Sequence, residues 1–173
     1  MAVIKLAKSL KGKILDIGGG GEGVIGRIYQ SQVTAIDNRQ DELDEAPDGF
    51  TKILMDAVNL NFPDESFDHV TSFYTLMYVE RCDHPSVIQE ACRVLKPGGS
   101  LQIWDAVIHE ANPFVVKLDI DANGTRLHPT YGIYKEDAAQ SAGYFKSICK
   151  QIGFTLITEE ISDKTFFLHF KRA

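Results

Sequence analysis

Apolar residues along the chain form short runs separated by helical stripes, and the two periods alternate nearly throughout. Lys13–Ile17 reads as a first buried strand, and Val24, Ile25, Ile28 and Tyr29 form the apolar face of a helix after it. Gln32–Ile36 is a second strand ending at Asp37, and the acidic stretch up to Pro47-Asp48-Gly49 predicts a short helix and a turn. Thr51–Met55 and His69–Phe73 supply a third and a fourth strand. Pro85 marks a helix start, Val87, Ile88, Ala91, Cys92 and Leu95 make its stripe, and Lys96-Pro97-Gly98-Gly99 stops it. Ser100–Ile108 is a fifth strand. Phe145, Ile148, Cys149 and Ile152 give one more helical face, closed by Gly153. Phe154–Thr158 and Thr165–Phe170 end the pattern as an antiparallel hairpin at the sheet edge.

This alternation predicts an α/β fold, a doubly wound, mainly parallel sheet with helices on both faces, in one domain over residues 1–173. Ahead of it, Val3, Leu6, Ala7 and Leu10 have helical spacing and predict a short amphipathic helix within 1–12. One segment breaks the rhythm. His109–Tyr134 contains Pro113, Asn123-Gly124 and Pro129, and reads as a hairpin turning at Asn-Gly. An insertion this long, placed where a strand ends, predicts a substrate-side lid or the contact surface of a homodimer.

Composition narrows the function classes. With 173 residues and 44% apolar content the chain can bury a genuine core. A net charge of −6, spread along the chain, argues against nucleic acid or an anionic membrane as partner and leaves a small-molecule substrate. Cys82, Cys92 and Cys149 are odd in number and lack C-x-x-C spacing, which predicts a reducing, cytoplasmic setting. No apolar run is long enough to span a membrane.

The chemistry concentrates after the first strand. Gly18, Gly19, Gly20 and Gly21 are consecutive, a sacrifice of chain entropy that points to a bound ligand. Gly18-x-Gly20-x-x-Gly23 also satisfies a dinucleotide-binding pattern, so its neighbours decide. Asp16 stands where a diphosphate-binding loop keeps an apolar residue, and it suits an ammonium or sulfonium instead. Asp37, nineteen positions after Gly18, can accept from both hydroxyls of a ribose. Asp56-Ala57 closes the third strand and places another acceptor for an adenine amino group. Together these carboxylates describe a cationic nucleoside.

The residues from Ile14 to Leu101 resemble the class I S-adenosylmethionine-dependent methyltransferases. The resemblance rests on Leu15-Asp16-Ile17-Gly18-Gly19-Gly20, Asp37, Met55-Asp56-Ala57, the run from Phe62 to Asp68 and the run from Arg93 to Leu101. It implies a seven-stranded sheet with an antiparallel last strand, and S-adenosylmethionine as cofactor, with S-adenosylhomocysteine as product. Contacts would fall on Asp16, Gly18, Gly20, Asp37, Asn38, Asp56, Ala57, Ser72 and Phe73. The chain departs from the family's glycine pattern at Glu22, where Gly23 follows one place late, and a side chain at Glu22 is expected to point outward.

Methyl transfer needs a positioned nucleophile, and a base where the acceptor arrives protonated. Tyr74, Asp105 and His109 are the catalytic candidates, and Tyr78, His128 and Tyr131 the substrate-side ones. Each has a plain alternative: Tyr74 and Tyr78 as packing residues, Asp105 as the cap of a strand end, the histidines as surface groups. Alternation with Trp104 and Ala106 favours the cavity for Asp105. Asp105, His109, Glu110 and His128 lack diagnostic metal spacing, and no metal is expected. Asn112-Pro113-Phe114 faintly resembles an amino-methylase motif but stands in the wrong place. The leading reading is methyl transfer to a small molecule by in-line displacement. A non-catalytic S-adenosylmethionine sensor or accessory subunit is the alternative, and a nicotinamide-dependent oxidoreductase is disfavoured by Asp16.

Overall fold

The computed structural model describes residues 2–109, 113–134 and 136–173. A run of apolar residues with no polar alternation forms a strand buried on both faces. Ile14–Ile17 is that strand (β2), with Ile14 and Leu15 fully buried. It lies mid-sheet. Val33–Asp37 (β3) and Thr51–Leu54 (β4) pair beside it on one side, all parallel. Phe67–Phe73 (β5) and Leu95–Ala106 (β6) continue the parallel set on the other. Thr165–Arg172 (β11) runs antiparallel to β6, and Phe154–Ile161 (β10) closes that edge antiparallel to β11. The resulting order, β10-β11-β6-β5-β2-β3-β4, is the seven-stranded, mainly parallel sheet with an antiparallel C-terminal hairpin.

The helices cover both faces because each carries one apolar stripe. His84–Val94 (α3) has Pro85 in its first turn and buries Val87, Ile88, Ala91 and Val94. Ala142–Ile152 (α4) starts at Ser141, whose hydroxyl accepts from the Tyr144 N–H, and ends at Gly153 with φ +109°. Both pack on the face holding Leu15, Val70, Leu101 and Leu168. Arg93 of α3 donates to the carbonyls of Leu60 and Phe62 and to Asp64, so the Phe62–Asp68 run is tied to its helix. Val24–Tyr29 (α1) lies on the opposite face, and Gln40–Glu45 (α2) follows β3.

The N-terminal segment corrects the sequence reading. Residues 1–12 were expected to form a helix, but Ala2–Leu6 is a strand (β1), paired parallel with Phe114–Ala122 (β7). Ala2, Ile4 and Leu6 turn inward while Val3 and Lys5 face out, a period of two that five residues hardly distinguish from a helical stripe. The partner strand that decides between them lies more than a hundred residues away in the chain.

The insertion forms its hairpin where expected. Asn123 and Gly124 both have positive φ, at 52° and 93°, as a tight two-residue turn requires. After it, Thr125–Leu127 (β8) and Thr130–Ile133 (β9) both pair antiparallel with β7, broken at His128-Pro129. This small sheet presses Val116, Leu118, Ile120 and Ala122 onto the face of the main sheet that carries α1.

Leu118→Ala should therefore cost about 2–5 kcal/mol in urea denaturation, because it empties a fully buried site. Val3→Lys, at a position 64% exposed, should change stability by less than about 0.5 kcal/mol.

Candidate active site

The loop between β2 and α1 is glycine because it is pressed against its neighbours. The N–H groups of Gly18 and Gly19 both donate to the Ile36 carbonyl, at 2.8 and 3.0 Å. Gly18 has φ +71°, and a Cβ there would stand 2.2 Å from the Thr75 methyl. A Cβ on Gly20 would stand 2.6 Å from the Glu42 Cβ and 2.8 Å from an Asp37 oxygen. Gly23 takes the left-handed conformation at the start of α1, and Glu22 is exposed at the rim of the cleft it helps to line.

Three carboxylates surround this loop at adjacent strand tips, in the order β2, β3, β4. Asp16 is buried and accepts a 2.7 Å hydrogen bond from the Thr71 hydroxyl. Burial pushes its pKa up to about 7; Asp37 adds to the rise, and the Thr71 hydrogen bond opposes it. Asp37 is half-buried and accepts from the N–H groups of Gly20 and Arg39, at 3.3 and 3.0 Å. Asp56 is exposed and accepts from the Val58 N–H at 3.1 Å. All three line one cleft of about 890 Å³, with Asn38, Ala57 and Phe73 also in its wall. Its far side is Tyr74 and Tyr78 after β5, and Pro129–Tyr131 of the insertion.

Tyr74 is a conformational outlier in the cleft wall. It is a fully buried aromatic residue at φ +51°, held by its N–H to the Trp104 carbonyl at 2.8 Å. Its ring stacks on Tyr131, with centroids 5.0 Å apart and planes within 10°. The Tyr74 hydroxyl has no hydrogen bond of normal geometry among the described residues, although Asp105 and Thr165 are near enough to influence it. Burial holds the hydroxyls of both Tyr74 and Tyr131 well above the ordinary tyrosine range.

Other expected site residues fall elsewhere. Ser72 is buried under the sheet tip and does not line the cleft. Asp105 is fully buried outside the cleft, where it accepts from Gln140 Nε2 (2.8 Å) and from the N–H groups of Ala106 (2.7 Å) and Met77 (3.3 Å). Alternation along β6 predicts that it faces the cavity, but the turn at Leu76–Tyr78 folds over that tip and binds one of its oxygens, and Gln140 and Ala106 hold the other. His109 is exposed away from the cleft, and His128 is an exposed neighbour of Asp119 at 3.6 Å. Glu110 and Asn112 lie outside the described residues, among which no group of three or more His, Cys, Asp or Glu is set to hold a metal. Thr71, Thr75 and Glu42 were not foreseen. Their role is to hold Asp16 and to shape the glycine loop, and nothing local in the sequence marks it.

A family model described as a methyltransferase domain matches residues 15–103, which hold the glycine loop and all three carboxylates. The chain belongs to the class I S-adenosylmethionine-dependent methyltransferases. It is 34% identical over 116 residues to a ubiquinone/menaquinone biosynthesis C-methyltransferase of Desulfotalea psychrophila, covering 60% of this chain and 46% of that protein. It is 32% identical over 126 residues to a 27-O-demethylrifamycin SV methyltransferase of Amycolatopsis mediterranei, covering 66% of this chain and 44% of that protein. The chain thus spans less than half the length of these two curated relatives. Among solved structures, an S-adenosylmethionine-dependent methyltransferase from Mesorhizobium loti superimposes with a TM-score of 0.64 at 20% identity, over 92% of this chain and 90% of that one, a likeness of fold.

The cleft suits this family's cofactor. Its loop floor carries no lysine or arginine, and its carboxylates match an ammonium, a ribose diol and an amino group. Asp16 sets a pH dependence. The folded chain holds its proton up to about pH 7, whereas the unfolded chain releases it near pH 4. Stability without ligand should fall as pH rises through that window. Asp16→Asn should remove part of the slope, and Asp105, raised similarly to about 7, should retain part of it. An ammonium favours ionised Asp16, so affinity for S-adenosylhomocysteine should rise with pH through about 7. In Asp16→Asn it should be weaker and flatter; urea titrations and calorimetry at several pH values read both.

Proposed function

We propose that this protein transfers a methyl group from S-adenosylmethionine to a small-molecule acceptor. The observation that carries the reading is one cleft with carboxylates on three neighbouring strand tips and an aromatic wall on the fourth. Asp37 would hold the ribose hydroxyls, Asp56 and Ala57 the adenine, and Asp16 the ammonium. S-Adenosylmethionine, once bound, supplies a methyl carbon on a positively charged sulfur, already activated for in-line displacement. The chain's task is then to orient the acceptor and exclude water. Pro129–Tyr131 serve the second purpose, with the insertion as a cover over the acceptor side.

Neither Tyr74 nor Tyr131 serves as a base at neutral pH, since burial keeps both hydroxyls protonated. With Asp105, His109 and His128 outside the cleft, none of the three serves as the base, and the reading assigns the chain chiefly to positioning. The same observation favours a second reading, a sensor or accessory subunit that binds the cofactor without turnover. The net charge of −6 supports a small acceptor over nucleic acid. No helix among the described residues is long and apolar enough to cross a membrane, and the free cysteines Cys82, Cys92 and Cys149 support a cytoplasmic setting. A homodimer through the insertion is supported by Val115 and Tyr134, at 53% and 80% exposure; a monomer in light scattering removes it.

Release of S-adenosylhomocysteine, measured against a panel of phenols, thiols and amines, tests the leading reading. Turnover with at least one acceptor is expected, and binding without turnover on any of them favours the sensor. Asp37→Ala should weaken cofactor binding by ~1–3 kcal/mol in calorimetry, since it strips acceptors from buried hydroxyls. Unchanged affinity would place the ribose elsewhere.

A further inference from the structure

Strand order determines what lies beside the cofactor. Asp56 follows β4, Asp37 ends β3 and Asp16 lies in β2, so a ligand laid along these tips runs from β4 towards β2 at about 4.8 Å per strand. The next tip is that of β5. There Tyr74 and Tyr78 stand, and the insertion brings Tyr131 to them. Two contacts fix the arrangement: the Tyr74–Tyr131 stack, and the Gly132 N–H, which donates to the Tyr78 hydroxyl at 3.1 Å. The wall is aromatic, with the Tyr74 hydroxyl buried behind it near Asp105 and Thr165 and the Tyr78 hydroxyl held by Gly132.

Acids predominate around this wall: Glu22, Glu42, Glu80 and Asp83 line the cleft in addition to the three strand-tip carboxylates. The basic side chains lining the cleft, among the described residues, are Arg27 and Arg39. Arg27 is held by its Nε to the Glu22 carbonyl at 2.7 Å. Arg39 pairs with Asp41 and, at 3.1 Å, with Glu42.

We infer that the subsite over β5 takes a planar acceptor that carries no negative charge. Flat rings pack on tyrosine faces with large area and little entropy loss. On the protein side, a carboxylate or phosphate on the acceptor would face this acidic lining across a partly desolvated gap, while Arg39 is already paired with Asp41 and Glu42. Selection against anions thus rests on cleft acids other than the three assigned to the cofactor, Glu22 and Glu42 among them.

The inference rests on the cleft being the cofactor site, and one calorimetric series separates the two. The protein is first titrated to saturation with S-adenosylhomocysteine, then with 2-naphthol or with 2-naphthoate, which share a ring system and differ in charge. Binding of 2-naphthol about tenfold tighter than 2-naphthoate is expected, and Tyr131→Ala should weaken 2-naphthol severalfold. Equal or tighter binding of 2-naphthoate, or no saturable binding of 2-naphthol, overturns the inference while leaving the cofactor reading standing. No heat from S-adenosylhomocysteine overturns both.

Discussion

A carboxylate buried at the tip of the central strand, with a threonine hydroxyl as its hydrogen-bond donor, is the constraint around which this site is arranged. An ionised Asp16 in that position is costly to the empty protein, and its pKa near 7 records the cost. A ligand that brings a positive charge to it relieves the penalty, and one that brings a diphosphate deepens it. On the proposed reading, discrimination between two classes of adenosine-bearing ligand begins with this carboxylate and is shared with Asp37 and Asp56 at the neighbouring tips. The glycines contribute by what they lack. Pressed against Thr75, Glu42 and Asp37, they leave a floor with no side chain between the carboxylates and the ligand.

The rest of the fold supplies the walls. Parallel strands end at one edge, so residues that follow β2, β3, β4 and β5 share a rim although they are far apart in the chain. The far wall needs both the outlier at Tyr74 and the insertion that carries Tyr131. The insertion is held from two directions, by β1 along β7 and by the Tyr78–Gly132 hydrogen bond at its inner edge. Asp105 works beneath it, joining the turn at Met77 to Gln140, whose backbone pairs with Ile108 at the insertion's base. A residue first read as a candidate base is a brace between two parts of the wall.

What the sequence made legible was local. The apolar run of β2, the glycine loop and the acids closing β3 and β4 each announce themselves within a few residues, and the structure places them together. The Arg93 motif was equally legible, and its reason is visible in the carbonyls of Leu60 and Phe62 that the guanidinium binds. Long-range pairing was not. Ala2–Leu6 imitates a helical stripe until β7 stands beside it, and Asp105 looks free until the Leu76–Tyr78 turn covers it. Ser72 and Phe73 are neighbours in sequence, yet only Phe73 lines the cleft, because successive residues of a strand face opposite ways. The stack of Tyr74 on Tyr131 joins segments separated by the whole of β6 and the hairpin, and no spacing rule could place it.

The central claim is that carboxylates on three strand tips select a positively charged adenosine derivative over a diphosphate. Thermal unfolding at about pH 8, with S-adenosylhomocysteine and NAD compared at equal concentration, tests it most directly. The account predicts a rise in Tm with S-adenosylhomocysteine and none with NAD. A rise with NAD alone would contradict it.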